Sequence, residues 1–361
     1  MKVRVEEESV RLNNRTARLS AKSSWLAACA LVFGCVLRGE SAERGITRTV
    51  GTNGIMATVQ ASEGVEEAIV EGKQFEYDPS VPLKIEQVSS ETRDGVTVKD
   101  LSYAGSDGGR IPAYLLIPPG DGPFAAVLWG HWMMPGSAYM NRTEFLEEAT
   151  ALARSGVVSL LVDAPMVRPG RQPKNDVKSY QEAFRQDVID LRRGIDLLLA
   201  RKDVDVKRLA YVGHSFHAAT GGVLSGIDPR LSTSVLMAGG IDSGRILVSR
   251  SAYAEDMRRN MGETELNRFV ATTRWMNPAS YLGQSKHAPL LLQFGTHDLF
   301  MTREDCDEYA SVVSAPKEVK FYDSGHELNA AARHDRIAWL QKSLRLKAVD
   351  WKAIDSVREI R

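Results

Sequence analysis

The stretch "RLAYVGHSFHAATGG", Arg208 to Gly222, decides the fold. Leu209 to Val212 is apolar and suits a strand buried on both faces. A helix opens near Phe216, and the small residues Ala218, Ala219, Gly221 and Gly222 permit close packing of that helix. Between strand and helix stand Gly213, His214 and Ser215, one residue short of Gly-x-Ser-x-Gly because His217 occupies the last glycine position. A strand-turn-helix arrangement lifts a serine hydroxyl clear of a sheet. It also aims the amide of Phe216 and the helix N-terminus at a point where negative charge can develop. A serine is a poor nucleophile at neutral pH and needs an adjacent base.

The base and its acid are expected downstream in the order Ser, acid, His, each just after a later strand. "LLLQFGTHDLF" puts Asp298 in the loop after a buried apolar run, and "VKFYDSGHELN" puts His326 after the next. In this reading His326 accepts the Ser215 proton, and Asp298 fixes its tautomer and stabilises the imidazolium. His297 and Asp323 are alternative partners that sit less well against their strand ends. A second oxyanion donor is expected in "GHWMMPGS", Gly130 to Ser137, where the main-chain amide of Trp132 is the candidate because Gly130 allows tight backbone geometry. The competing reading of that loop is a turn with core aromatics. His131, Asp163 and His217 are candidates for lining a substrate pocket, and Asp163 shares its loop with Pro165 and Arg168. His214 and His217 have the i, i+3 spacing of metal ligands on a helix but straddle the turn, so no metal site is expected.

Working outward, "VTVKDLSYA" and "RIPAYLLIP" alternate polar and apolar residues around "GSDGG" and predict a β-hairpin. "FAAVLWG", "VVSLLV", "LSTSVLMAG", "APLLLQFG" and "EVKFYDSG" are further strands. Helical spacing runs through Phe145, Ala149 and Leu152, ending at Gly156, and through Phe184, Val188, Leu191, Ile195 and Leu198. A last helix covers "RIAWLQKSLR". Buried strands alternating with amphipathic helices imply an α/β fold with a mostly parallel sheet covered on both sides. The expected organisation is a leader over 1–45, an irregular extension over 46–95, an α/β domain over 96–346 and a C-terminal tail over 347–361. Residues 242–283 interrupt the alternation with helical sequence, where an active-site cap or a surface excursion would lie; Tyr253 and Trp275 belong to cap or local core.

These pieces together resemble the α/β-hydrolase fold, and more narrowly its dienelactone-hydrolase and acetyl-xylan-esterase-like branch. The resemblance runs from about Thr97 to Leu346 on "IPAYLLIPPGDGPFAAVLWGH", "SLLVDAP", "DLRRGIDLLLARKDVDVKRLAYVGHS", "LLLQFGTHD" and "YDSGHELN". It implies hydrolysis of a small-molecule ester or lactone through an acyl-serine, with no metal or organic cofactor. It does not specify a substrate. His217, Trp132 and Met133 depart from it, standing where glycines are common. Two other readings stay open: a prolyl-oligopeptidase-type peptidase, and an inactive hydrolase fold used for binding. The elbow is expected to survive with His217 packed away from the Ser215 hydroxyl.

The 361 residues are 43% hydrophobic and 25% charged, the composition of a globular protein. Lys+Arg and Asp+Glu both number 46, so no net basic charge points to nucleic acid or acidic lipid. Arg11, Arg15, Arg18 and Lys22 precede the apolar run Trp25 to Leu37, and "GESAERG" follows, which describes an export signal too short for a membrane span. "VFGC" loosely matches a lipoprotein box. The exported chain would be periplasmic, secreted or lipid-anchored; a true start at Met56 would instead make it cytoplasmic. Cys29 and Cys35 fall in that segment and leave Cys306 without a disulfide partner. Oligomeric state is not legible.

Overall fold

The computed structural model describes residues 72–170, 176–240, 243–283, 287–314 and 316–360. The segment expected to be an export signal and the first part of the extension lie outside them. Nine strands form one sheet. They are β1 (Glu86–Arg93), β2 (Val96–Ala104), β3 (Arg110–Ile117), β4 (Phe124–Gly130), β5 (Val157–Val162), β6 (Val204–His214), β7 (Thr233–Met237), β8 (Leu290–Gly295) and β9 (Lys317–Tyr322). Their spatial order is β1-β2-β3-β5-β4-β6-β7-β8-β9. The first three strands run antiparallel, joined to the rest by an antiparallel β3–β5 pair, and every later pairing is parallel. The central strands β4, β5, β7 and β8 are buried along their whole length, as their unbroken apolar runs require.

Helices cover both faces. On one lie α2 (Val177–Leu199) and α3 (Phe216–Ile227), whose Leu191, Ile195 and Leu224 pack with Leu128, Leu160 and Tyr211 of the sheet. On the other lie α1 (Leu146–Ala153) and, later in the chain, α8 (Ala330–Ser343) and α9 (Trp351–Asp355), where Phe145, Leu152, Ile337 and Ile354 pack against Trp129 and Val212. Fully burying one such Leu, Val or Phe is worth about 1.5–3 kcal/mol. No helix among the described residues is long and apolar enough to cross a membrane.

Two boundaries differ from expectation. The extension over 46–95 is not wholly irregular: β1 adds an edge strand to β2, its eight residues all exposed. "EQVSSETR" has no apolar face to bury, so no alternation marks it as a strand. The tail over 347–361 includes a short helix: α9 buries Ile354, and Ile360 packs near Trp132 and Met134.

Between β7 and β8 the chain forms α4 (Ala252–Met261), α5 (Glu263–Thr273) and α6 (Pro278–Leu282), preceded by a 3-10 turn over Ser243–Leu247. Met257, Met261, Leu266 and Phe269 give α4 and α5 a small core of their own. Arg245 of the turn ties this segment to α7 (Arg303–Val312): its Nε lies 3.0 Å from Asp305 Oδ1, and Asp305 also closes the capping box of α7 with Thr302. The amide of Tyr253 donates to the Leu299 carbonyl at 3.0 Å, a second tie.

Candidate active site

Parallel strands deliver the loops that follow β4, β5, β6, β7, β8 and β9 to one edge of the sheet, where ligands bind in open α/β folds. Ser215 sits at the β6–α3 junction with φ 56° and ψ −111°. A non-glycine residue held there costs about 1–3 kcal/mol and persists only where its surroundings impose it. Here the Ser215 amide donates to the Met237 carbonyl at 2.8 Å, and the Tyr211 hydroxyl donates to the His217 carbonyl at 2.7 Å. A side chain at Gly213 would strike the His217 carbonyl and the Tyr211 ring, so that glycine is required by close approach.

Asp298 and His326 converge on Ser215. His326 Nε2 lies 2.7 Å from Ser215 Oγ, and His326 Nδ1 lies 2.8 Å from Asp298 Oδ2. A carboxylate can only accept, so Nδ1 carries the proton and Nε2 accepts from the serine hydroxyl. The Asp298 side chain is sealed from solvent, and its Oδ1 accepts from the Phe300 amide at 2.8 Å. The alternative partners His297 and Asp323 pair with each other on the surface, at 2.6 Å.

The Phe216 amide opens α3, where the first N–H groups of a helix have no partner within it. Trp132 is a different matter. Its amide donates to Glu144 Oε2 at 2.5 Å, inside the core, and is therefore not available to a substrate oxygen. The next amide, that of Met133, has no partner among the described residues, and Met133 borders the same cavity as Ser215. The expectation for Trp132 does not hold, because a carboxylate twelve positions away takes its N–H.

Glu144 does more than hold Trp132. Its Oε1 lies 2.5 Å from His214 Nδ1, and His214 Nε2 donates to the His326 carbonyl at 2.8 Å. With Nε2 bearing a hydrogen, an unprotonated Nδ1 facing a carboxylate at that distance would be repulsive, so a proton lies between His214 and Glu144. The His214 ring stacks between Trp132, with centroids 5.2 Å apart, and His326, at 5.4 Å. One buried carboxylate thus ties the loop after β4, the strand that leads into Ser215 and the loop that carries His326. No local sequence pattern marks Glu144, which lies just before α1.

His131, Asp163 and His217 do not line the cavity at Ser215. All three serve the structure beneath it. His131 Nδ1 donates to the Trp132 carbonyl at 2.7 Å and its Nε2 accepts from the Ala164 amide at 3.0 Å. Burial, with the nearby His217 charge adding to it, drives the His131 pKa down to about 3, so this ring is neutral. Asp163 is an ion-pair partner of Arg142 at 3.0 Å. His217 is fully buried, donates from Nδ1 to the His131 carbonyl at 2.5 Å, and brings Nε2 to 3.3 Å from Asp187 Oδ1 of α2. That approach lacks the alignment of a hydrogen bond, so the contact is ionic. Burial works against the charge on His217 and on Asp187, but each reverses the effect on the other: the His217 pKa is raised and the Asp187 pKa lowered. The His217 ring fits because its neighbour in β4 is Gly130, where an added Cβ would stand 2.5 Å from His217 Cγ. Among the described residues no group of three or more His, Cys, Asp or Glu is placed to hold a metal ion.

The cavity at Ser215 is walled by the 242–283 segment as well as by the sheet edge, with Ile246, Tyr253, Phe269 and Met276 facing Phe216 and Phe300. The Phe300 and His326 rings lie 4.5 Å apart. Tyr253 belongs to this wall, whereas Trp275 packs on Phe75 and Phe184, each 5.9 Å away.

No family model matches the chain, and no curated protein matches it in sequence. Solved structures do match. An acetyl xylan esterase from Paenibacillus sp. R4 superposes with a TM-score of 0.62 at 20% identity, over 78% of this chain and 95% of that one. Acetyl xylan esterase 1 from Thermoanaerobacterium sp. JW/SL YS485 gives 0.59 at 19% identity, over 78% and 94%. A prolyl endopeptidase gives 0.54 at 15% identity, over 71% of this chain and 40% of that one.

Proposed function

We propose that this chain, whose fold is that of the α/β hydrolases, is a serine hydrolase that cleaves carboxylic esters. The observation that carries the reading is the hydrogen-bonded series Ser215–His326–Asp298 opening into a cavity that Ser215 and His326 both border. Ser215 Oγ attacks the ester carbonyl carbon while His326 Nε2 takes the hydroxyl proton. Asp298 holds the imidazolium in place. The oxyanion of the tetrahedral intermediate is met by the amides of Phe216 and Met133 and by the positive end of α3. Collapse expels the alcohol, which receives its proton from His326 and leaves an acyl-serine. Water then repeats the sequence, releasing the acid and restoring Ser215. The likeness to two acetyl xylan esterases favours ester over amide chemistry.

The test is hydrolysis of short esters by the purified chain, with fluorophosphonate labelling of Ser215. Ser215→Ala and His326→Ala should each lower kcat by on the order of 10⁴-fold or more, and Ser215→Ala should also abolish labelling. Near-normal activity in His326→Ala would remove the assigned base. Amide cleavage at rates matching ester cleavage would turn the reading to a peptidase, and absence of both turnover and labelling to a binding protein.

A further inference from the structure

The cavity beside Ser215 encloses about 200 Å³. Phe184, Phe216, Ile246, Phe269, Met276 and Phe300 supply its walls. Charged groups also reach it, yet they are turned on one another. Arg245 places Nε and Nη2 within 3.0 and 2.9 Å of Asp305 Oδ1, and its Nη1 meets Glu308. Asp305 Oδ2 accepts from the Ser249 hydroxyl at 2.5 Å and the Thr302 amide at 2.8 Å. The Thr273 hydroxyl donates to the Phe269 carbonyl at 2.8 Å and lies 2.9 Å from Ser243 Oγ. Among the described residues, a substrate carboxylate entering here would find no cation without a carboxylate already on it. Ser251, Tyr253 and Asn277 also border the cavity, but most of its wall is aromatic and aliphatic carbon, so a sugar ring would leave most of its hydroxyls facing that carbon, at the desolvation cost of unpaired polar groups. An apolar group meets neither obstacle.

Resting on the ester-hydrolase reading, we propose that this cavity selects esters in which one side of the scissile bond is an uncharged apolar group bulkier than acetyl, an aromatic ring or an alkyl chain of several carbons. The cap segment supplies the selectivity, because Ile246, Phe269 and Met276 come from it. Each methylene removed from water into such a wall is worth a factor of about four in kcat/KM.

The experiment is pH-stat hydrolysis by the full chain in two arms. The acyl arm runs methyl acetate, butyrate, hexanoate and octanoate. The alcohol arm runs the acetates of methanol, butanol, hexanol and octanol. The expected result is a rise in kcat/KM from the shortest to the six-carbon ester in one arm, on the order of 10²-fold for the acyl arm or 10³-fold for the alcohol arm, which also says which side of the ester the cavity holds. Monomethyl succinate should fall at least tenfold below methyl butyrate. Ala219→Leu, which fills the cavity beside Ser215, should lower the ratio of six-carbon to shortest ester about tenfold. Flat or falling kcat/KM in both arms, with turnover of the shortest esters intact, overturns this proposal and leaves the ester-hydrolase reading standing. Failure to hydrolyse any ester, with no Ser215 labelling, overturns both.

Discussion

Replacing His217 by glycine restores the Gly-x-Ser-x-Gly spelling of the elbow, and we expect it to damage the protein. His217 and Asp187 are both fully buried, 3.3 Å apart, and against the burial that disfavours it Asp187 raises the His217 pKa, favouring the charged ring. Removing one member of a buried ion pair leaves the other charge uncompensated, at a cost of about 3–5 kcal/mol. The lost hydrogen bond to the His131 carbonyl and the vacated space beside Gly130 act in the same direction. Against these, glycine relieves no strain, since Gly130 already makes room for the ring. The net expectation is a loss of at least about 3 kcal/mol, or a fall in Tm of roughly 6 °C or more. The measurement is urea unfolding of the wild type, His217→Gly, Asp187→Asn and the double variant. Asp187→Asn in the His217→Gly background removes the orphaned charge, so the double variant should be more stable than the two single losses sum to, by about 2–3 kcal/mol. A loss below about 1 kcal/mol in His217→Gly, or strict additivity, would refute the ionic account of this contact.

Three further outcomes are expected. Stability should pass through a maximum near neutral pH: the raised His217 pKa means the folded chain binds more protons above about pH 6.5, so stability falls as pH rises through that raised value. The lowered His131 pKa acts oppositely, costing stability as pH falls from about 6.5 toward its folded value of about 3. Chemical denaturation across pH 4–9 checks both, and the alkaline slope should flatten in His217→Gln. Glu144→Ala should cost about 2–6 kcal/mol by stranding the buried Trp132 amide and His214 ring, whereas Glu144→Gln, whose amide can donate to His214 and accept from Trp132, should cost less than half as much; equal losses would deny the shared-proton contact. Gly130→Ala should destabilise by about 1–3 kcal/mol, read by thermal unfolding, because its methyl would press on the His217 ring.

The architecture was legible because buried parallel strands are long apolar runs and the helices between them carry a clear stripe. Ser215, Asp298 and His326 were legible through their positions after three of those strands. What escaped reading depends on contacts between segments distant in sequence. Trp132 is a plausible oxyanion donor until Glu144 claims its amide. His131 and His217 have the chemistry of pocket residues, but the side of the sheet edge on which they fall is set by Gly130 and Asp187. The exposed edge strand β1 buries nothing and so has no hydrophobic signature. The cavity wall draws on the segment between β7 and β8, whose sequence says helix without saying which face looks at Ser215.

The pairing of Gly130 with His217 has a consequence for how such elbows change over time. In the Gly-x-Ser-x-Gly pattern the glycine belongs to the helix; here the strand yields at Gly130 and the helix carries the bulk of His217. One absent Cβ serves both arrangements, but it has moved to the other partner of the contact. A single substitution in either direction leaves two side chains in one space, or none, with an aspartate stranded below. The two positions are therefore epistatic: passage between the two forms needs a second change in the same lineage, and a signature that scores each letter alone will misjudge chains on the far side of that step.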